Sequence, residues 1–129
     1  MKARIYSREG HFSLAKTSLA SYVKAKGKDK ETEELEADIL EGEKMKSKTE
    51  KERNAELWNA CVESASQTLR IASHSIEVRT WRAECSLAAG DIESTVGDLT
   101  CVSLQSIYVF YSNEHLGGCH ISYNHLPNY

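Results

Sequence analysis

Apolar residues recur every three or four positions in stretch after stretch of this chain, which is the period of a helix with one buried face. The strongest stripe is Trp58, Cys61, Val62, Ala65, Leu69 and Ala72. Phe12, Ala15, Leu19, Tyr22 and Val23 predict a helix from about Glu9 to Lys26, ended by Gly27. Ser75 can cap a further helix that carries two apolar faces. Ile76, Thr80, Ala83 and Leu87 form one, and Val78, Trp81, Cys85 and Ala88 the other, so that helix is expected between neighbours. Gly90 ends it, and Asp91 caps a last stripe of Ile92, Thr95, Val96, Leu99 and Val102. Only one proline and seven glycines interrupt 129 residues. That scarcity of breakers disfavours a many-turned β sandwich and predicts an all-α chain.

The charge is uneven. Between Lys26 and Asn54 lie 18 of the 35 charged residues, eight basic and ten acidic. Glu, Lys, Leu, Ala and Met dominate there, and all favour helix. Leu35, Ile39, Gly42, Met45 and Thr49 give a thin stripe of apolar and small residues at helical spacing. A long, mostly exposed helix is therefore predicted over residues 31–53, with Asp29 as its N-cap and no clean capping box at Thr32. Over the whole chain 16 basic residues face 19 acidic ones, a net charge of −3. No basic excess exists to neutralise a phosphate backbone, so no nucleic-acid partner is expected. No apolar run is long enough to span a bilayer, so no membrane partner is expected either. Arg4, Ser7, Arg8, Glu9 and His11 interrupt the N-terminus where a signal peptide needs an apolar run.

Sliding the chain by 34 residues places Trp58 on Ile92, Cys61 on Thr95, Val62 on Val96 and Ala65 on Leu99. Gly10, Phe12, Ala15 and Leu19 match Gly90, Ile92, Thr95 and Leu99 offset for offset. A 34-residue period of paired helices is the tetratricopeptide signature, in which stacked hairpins share one continuous core. The equivalent turn positions Gly10 and Glu56 lie 46 residues apart, 12 beyond one period. The long charged helix absorbs that excess and is expected to bridge two sub-arrays. The predicted fold is thus an all-α, tetratricopeptide-like hairpin solenoid over residues 1–105, with one long bridging helix. No first helix is expected before Gly10.

The segment IEVRTWRAECSLAAGDIESTVGDLT resembles, more narrowly, the repeats of endoplasmic-reticulum J-domain co-chaperones in their fungal form. Arg79, Arg82, Ala83, Glu84, Cys85, Gly90, Asp91, Asp98 and Leu99 carry the resemblance. Upstream, LAKTSLASYVKAKGKDK, LEGEK and LWNACVESASQTLRIASHS extend it over residues 9–104. The resemblance implies a solenoid that binds unfolded or extended polypeptide clients, followed by a J domain whose His-Pro-Asp motif stimulates an Hsp70. This chain has no His-Pro-Asp; its single proline, Pro127, follows Leu126. Hsp70 is thus expected as a partner only through a J domain absent here, and the chain reads as a fragment or a truncated gene product. The family implies the lumen of the endoplasmic reticulum; as written, without a signal peptide, the chain would stay in the cytoplasm. A generic adaptor for one protein or peptide partner is the alternative.

Tetratricopeptide arrays bind along the groove lined by the first helix of each pair, and that face would carry Glu77, Thr80, Glu84 and Leu87. Thr80 and Glu84 stand where a carboxylate clamp needs Lys and Asn, so an apolar, polar-edged groove centred on Leu87 is expected instead. Trp58 and Trp81 are expected in the core. No Ser-His-Asp or Cys-His arrangement, phosphate loop or paired carboxylates can be placed on one surface, so no enzymatic activity and no cofactor are predicted. The cysteines Cys61, Cys85, Cys101 and Cys119 have no Cys-x-x-Cys spacing. Cys61 and Cys85 fall on successive helices, where a disulfide could form in an oxidising lumen, but reduced core packing is expected. Residues 106–129 read as an irregular tail of non-native sequence, with β-propensity over Ile107–Tyr111. Its His115, Cys119, His120 and His125 match no zinc spacing, so no metal is predicted.

Overall fold

The computed structural model of the protein describes residues 2–112, and the side chains through residue 105. The helices are α1 (Lys2–Glu9), α2 (Phe12–Lys26), α3 (Lys30–Asn54), α4 (Trp58–Ile71), α5 (Ile76–Ala88) and α6 (Ile92–Ser112). Among the described residues all regular structure is helical, as an all-α, tetratricopeptide-like repeat fold requires.

Three hairpins share one turn. Between α1 and α2, the Gly10 N–H donates to the Ser7 carbonyl at 3.1 Å and the His11 N–H to the Tyr6 carbonyl at 2.9 Å. Between α3 and α4, Glu56 donates to Arg53 at 3.1 Å and Leu57 to Glu52 at 2.9 Å. Between α5 and α6, Gly90 donates to Leu87 at 3.1 Å and Asp91 to Ser86 at 2.8 Å. This pair of bonds is the Schellman stop, which needs a left-handed residue after the helix. Gly10, Glu56 and Gly90 supply it, with φ of 83°, 60° and 87°. The turns repeat at the two intervals, 46 and 34 residues, read from the sequence. One expectation is corrected here. A helix does precede Gly10: α1 buries Ala3 and Ser7 and completes the first hairpin.

The 12 extra residues lie in α3, whose 25 residues span about 37 Å. In its N-terminal half, Leu35 and Ile39 join Ala3, Phe12, Ala15, Leu19 and Ala72 in one apolar cluster. In its C-terminal half, the buried Thr49 hydroxyl meets Ser64 Oγ at 3.1 Å and Thr68 Oγ1 at 3.4 Å, both on α4. The two halves meet at Gly42. A β-carbon there would lie 2.5 Å from the Phe12 ring and 3.3 Å from Ile71. The helix therefore bridges two sub-arrays, but it is packed along its length rather than projecting. Its predicted stripe, Leu35, Ile39, Gly42, Met45 and Thr49, is buried throughout. Asp29 is the N-cap, and a capping box exists after all. The Asp29 carboxylate accepts from the Thr32 N–H while the Thr32 hydroxyl accepts from the Asp29 N–H. A threonine takes the position usually held by Glu or Gln.

The α4/α5 contact is fastened covalently. Cys61 and Cys85 form a disulfide across it, with a Cα–Cα separation of 6.1 Å, where reduced thiols were expected. The helix stack sets both side chains at bridging distance, which spacing along the sequence does not reveal. Beside it, Ala65, Leu69 and Val78 form a second apolar cluster, with Trp81 packed against it. Between α5 and α6 lies a buried ion cluster. Arg82 grips both oxygens of the fully buried Asp98 carboxylate, from Nε at 2.8 Å and from Nη2 at 2.5 Å. Arg79 Nη1 stands 3.6 Å from the same carboxylate, and Arg79 Nη2 donates to the Ser73 carbonyl at 2.9 Å. Ser75 and Asp91 cap α5 and α6 as predicted, accepting from the Val78 and Ser94 N–H groups. The Ser94 hydroxyl and then its N–H hold the Asp91 carboxyl below its ordinary pKa, against a slight opposing effect of burial.

On α6 the expected stripe is only partly buried: Thr95 is buried and Val102 half-buried, but Ile92, Val96 and Leu99 are each about half-exposed or more. The buried line runs instead through Thr95, Asp98, Cys101 and Gln105. On α4 the positions equivalent to Ile92, Val96 and Leu99 are Trp58, Val62 and Ala65, and α5 packs against that side. Among the described residues α5 takes the other side of α6, and no further helix packs extensively against this side. The helix also runs past residue 105 to Ser112, so Ile107–Tyr111 is helical rather than extended. An established helix adds each residue cheaply, and this outweighs a weak β preference. The remainder of the tail, with His115, Cys119, His120 and His125, lies outside the described residues.

Candidate interaction face on the first helices

The first helices of successive hairpins lie against each other, α1 on α3 and α3 on α5, and charged pairs cross both contacts. Arg4 of α1 pairs with Glu31 at the start of α3. Lys46 Nζ lies 2.8 Å from Glu77 Oε1, and Arg53 Nε lies 2.5 Å from Glu84 Oε2. The two cations are seven residues apart on α3, and the two acids are seven apart on α5. Seven residues are about two turns, so each pair lies on one face of its own helix. Between the pairs sits Trp81. The Lys46 ammonium is 6.0 Å from its ring centroid and the Arg53 guanidinium 5.7 Å. Lys46 also donates to the Gly10 carbonyl at 3.1 Å, which ties this face to the first turn.

The structure distributes the predicted site residues unequally. Glu77 and Glu84 are brought to α3 and paired, rather than left as solvated carboxylates. Thr80 is half-buried, and its hydroxyl donates to the Ile76 carbonyl of its own helix. Leu87 is 59% exposed, one turn beyond Glu84. Sequence reasoning missed Lys46, Arg53 and the ring face of Trp81. Trp81 was expected in the core, but it has one side against Ala65, Leu69 and Val78 and the other under the cations. The missed signal is a pair of equal offsets, 46 to 77 and 53 to 84, each joining opposite charges.

The ion pairs are partly exposed, so each contributes about 0–1 kcal/mol. Each cation–π contact at such a site adds about 0.5–1 kcal/mol. Groups held this weakly can exchange partners with an incoming chain. The ammonium and guanidinium can donate to peptide carbonyls, the carboxylates can accept from peptide N–H groups, and Trp81 and Leu87 offer apolar surface. Positive and negative groups balance, so the face does not select one sign of charge. Among the described residues no three His, Cys, Asp or Glu side chains converge to hold a metal ion. No described helix is long and apolar enough to cross a membrane.

Comparison with known proteins yields a curated relative, the tetratricopeptide repeat and J domain-containing co-chaperone of Cryptococcus neoformans var. grubii. It is 32% identical over 99 residues, which is 77% of this chain. The chain spans only 19% of that protein's length. No family model matches the chain. No solved structure matches it.

Proposed function

We propose that this chain is a non-enzymatic protein-binding scaffold, the part of a co-chaperone that holds unfolded or extended polypeptide clients. The likeness over 99 residues to a tetratricopeptide repeat and J domain-containing co-chaperone carries this reading. The α3–α5 face supports it with weak, exchangeable charge pairs around an aromatic ring and an exposed Leu87. Such a face accepts extended backbone without demanding one sequence. Hsp70 would be engaged through a J domain, whose His-Pro-Asp motif is not in residues 1–129. The Cys61–Cys85 disulfide suits an oxidising compartment and so favours work in the lumen of the endoplasmic reticulum.

The test uses one protein in two states as the ligand, native α-lactalbumin and its reduced, carboxymethylated, permanently unfolded form. Binding by fluorescence anisotropy is expected for the unfolded form only. The double variant Trp81→Ala, Leu87→Asp should weaken it by about tenfold, the sum of a lost aromatic contact and a lost apolar one. Equal binding of native and unfolded forms would overturn the client reading. Saturation of the face by one short peptide, to the exclusion of other sequences, would replace it with a dedicated adaptor.

A further inference from the structure

A pocket of about 420 Å³ opens between α2 and the N-terminal half of α3. It lies away from the α3–α5 face and has no part in the reading above. Its floor is Leu19 and Ile39, both buried, and its walls include Val23 and the half-exposed Leu40. The rim is basic: Lys16, Lys24 and Lys28 stand around it with a single carboxylate, Glu36. Two of the lysines are already compensated. Lys16 lies 2.8 Å from Glu43 and Lys28 lies 3.4 Å from Glu36. Lys24 makes no ion pair or hydrogen bond with any described residue. The α4/α5 contact, one hairpin on, is filled by Trp81 and bridged by a disulfide. The α2/α3 contact has neither.

From this geometry we propose that the pocket binds an alkyl carboxylate, with its hydrocarbon chain on Leu19 and Ile39 and its carboxylate at Lys24. The size and the mostly apolar lining fall in the range of small-molecule sites. The polar groups on offer decide the chemistry. Ammonium groups only donate, and most peptide groups of both walls are bonded within α2 and α3, the carbonyls of the last turn of α2 and of Lys28 excepted. A peptide laid along the apolar floor would bring N–H groups that Leu19, Val23, Ile39 and Leu40 cannot accept from, and leaving such groups unpaired is costly. A hydrocarbon chain makes no such demand, and its one carboxylate meets the one uncompensated cation.

The experiment is isothermal titration of the whole chain with dodecanoate, decanoate and dodecyltrimethylammonium, each below its micelle concentration. Dodecanoate is expected to bind at one site, and decanoate about fifteenfold more weakly, at roughly fourfold for each of two methylenes. The ammonium amphiphile should be weaker than dodecanoate by about fivefold, the size of one exposed charge contact. Lys24→Glu should remove or reverse that preference, with the circular-dichroism spectrum unchanged. Ala20→Trp, at an exposed lining position, should fill the pocket and abolish binding. Equal affinity for both head groups, or dodecanoate binding that survives Ala20→Trp, would overturn the proposal. The latter result would move the alkyl chain elsewhere, for instance to the exposed face of α6. Displacement of dodecanoate by an acidic, apolar decapeptide at equal concentration would also overturn it.

Discussion

Reducing the Cys61–Cys85 disulfide should lower the stability of this chain more than its packing suggests. Both cysteines are fully buried, and after reduction the two sulfurs still fill nearly the same space. The loss therefore falls on the unfolded state, which regains the freedom of the loop between the two cysteines. Their separation is 24 residues, and the chain-entropy relation gives about 3.5 kcal/mol for a loop of that size. Residues 2–112, as a folded unit, have an unfolding entropy of about 0.23 kcal/mol per degree at the midpoint, so Tm should fall by about 15 °C. The assay is thermal unfolding by circular dichroism with and without reductant, after alkylation and mass spectrometry confirm the thiol state. Cys61→Ala with Cys85→Ala should fall about 1–2 kcal/mol further, because it also deletes two buried sulfurs. A non-reducing peptide map without the 61–85 link would refute the pairing. A Tm that moves by less than about 3 °C on full reduction would refute the entropic argument.

Three further outcomes follow from single contacts. Asp98→Asn leaves Arg79 and Arg82 facing each other without their counter-charge and should cost about 3–5 kcal/mol in urea unfolding. Arg79→Met and Arg82→Met combined with Asp98→Leu, which leave no buried charge unpaired, should cost less than Asp98→Asn; an equal or larger loss would contradict the charge argument. Gly42→Ala gains about 1 kcal/mol of helix propensity but drives a methyl into the Phe12 ring. With overpacking at about 1–3 kcal/mol, the net effect should be a loss, and Phe12→Leu should relieve it in a double-mutant cycle. Glu56→Gly removes a left-handed side-chain strain of about 1–2 kcal/mol and adds unfolded-state freedom of about 0.4–1 kcal/mol. The variant should therefore be more stable by about 0.5–1 kcal/mol; a lower denaturation midpoint would contradict the left-handed turn.

The helices were legible because their buried stripes obey the 3.6-residue period, and every residue of the α3 stripe is buried. The turns were legible because two of the three left-handed positions hold glycine. The third holds Glu56, and only its offset from Gly10 located it. What stayed hidden was contact between helices far apart in sequence. The α6 stripe illustrates the limit. Ile92, Val96 and Leu99 have the spacing of a buried face, but spacing states only that a face could be covered, not that anything covers it. The polar side of the same helix is the one inside, since Asp98 is held by two arginines of α5 and Thr95 bonds the Asp91 carbonyl of its own helix. Buried polar residues of this kind leave no hydrophobic period to read.

The residues that carried the family resemblance gain a physical meaning from these contacts. Arg79, Arg82 and Asp98 are the buried ion cluster between α5 and α6, and Cys85 is half of the bridge to α4. Gly90 and Asp91 are the left-handed stop and the next N-cap. Of that set, Glu84 alone has its ion pair on the candidate face. The recognisable motif is therefore mostly a fastening of one hairpin to its neighbours; of the residues that build the face, Lys46 and Arg53 lie outside the segment, and Trp81 lies within it but is not among those that carry the resemblance. Rigid fastening behind a loosely paired surface is a sensible division of labour for a scaffold. The ordering entropy of the helices is met by the disulfide, the ion cluster and the core, so the exposed pairs remain free to exchange partners. By this argument, changes at Asp98 or Cys85 should alter stability before binding. Changes at Trp81 should alter binding by more than its loss of packing explains.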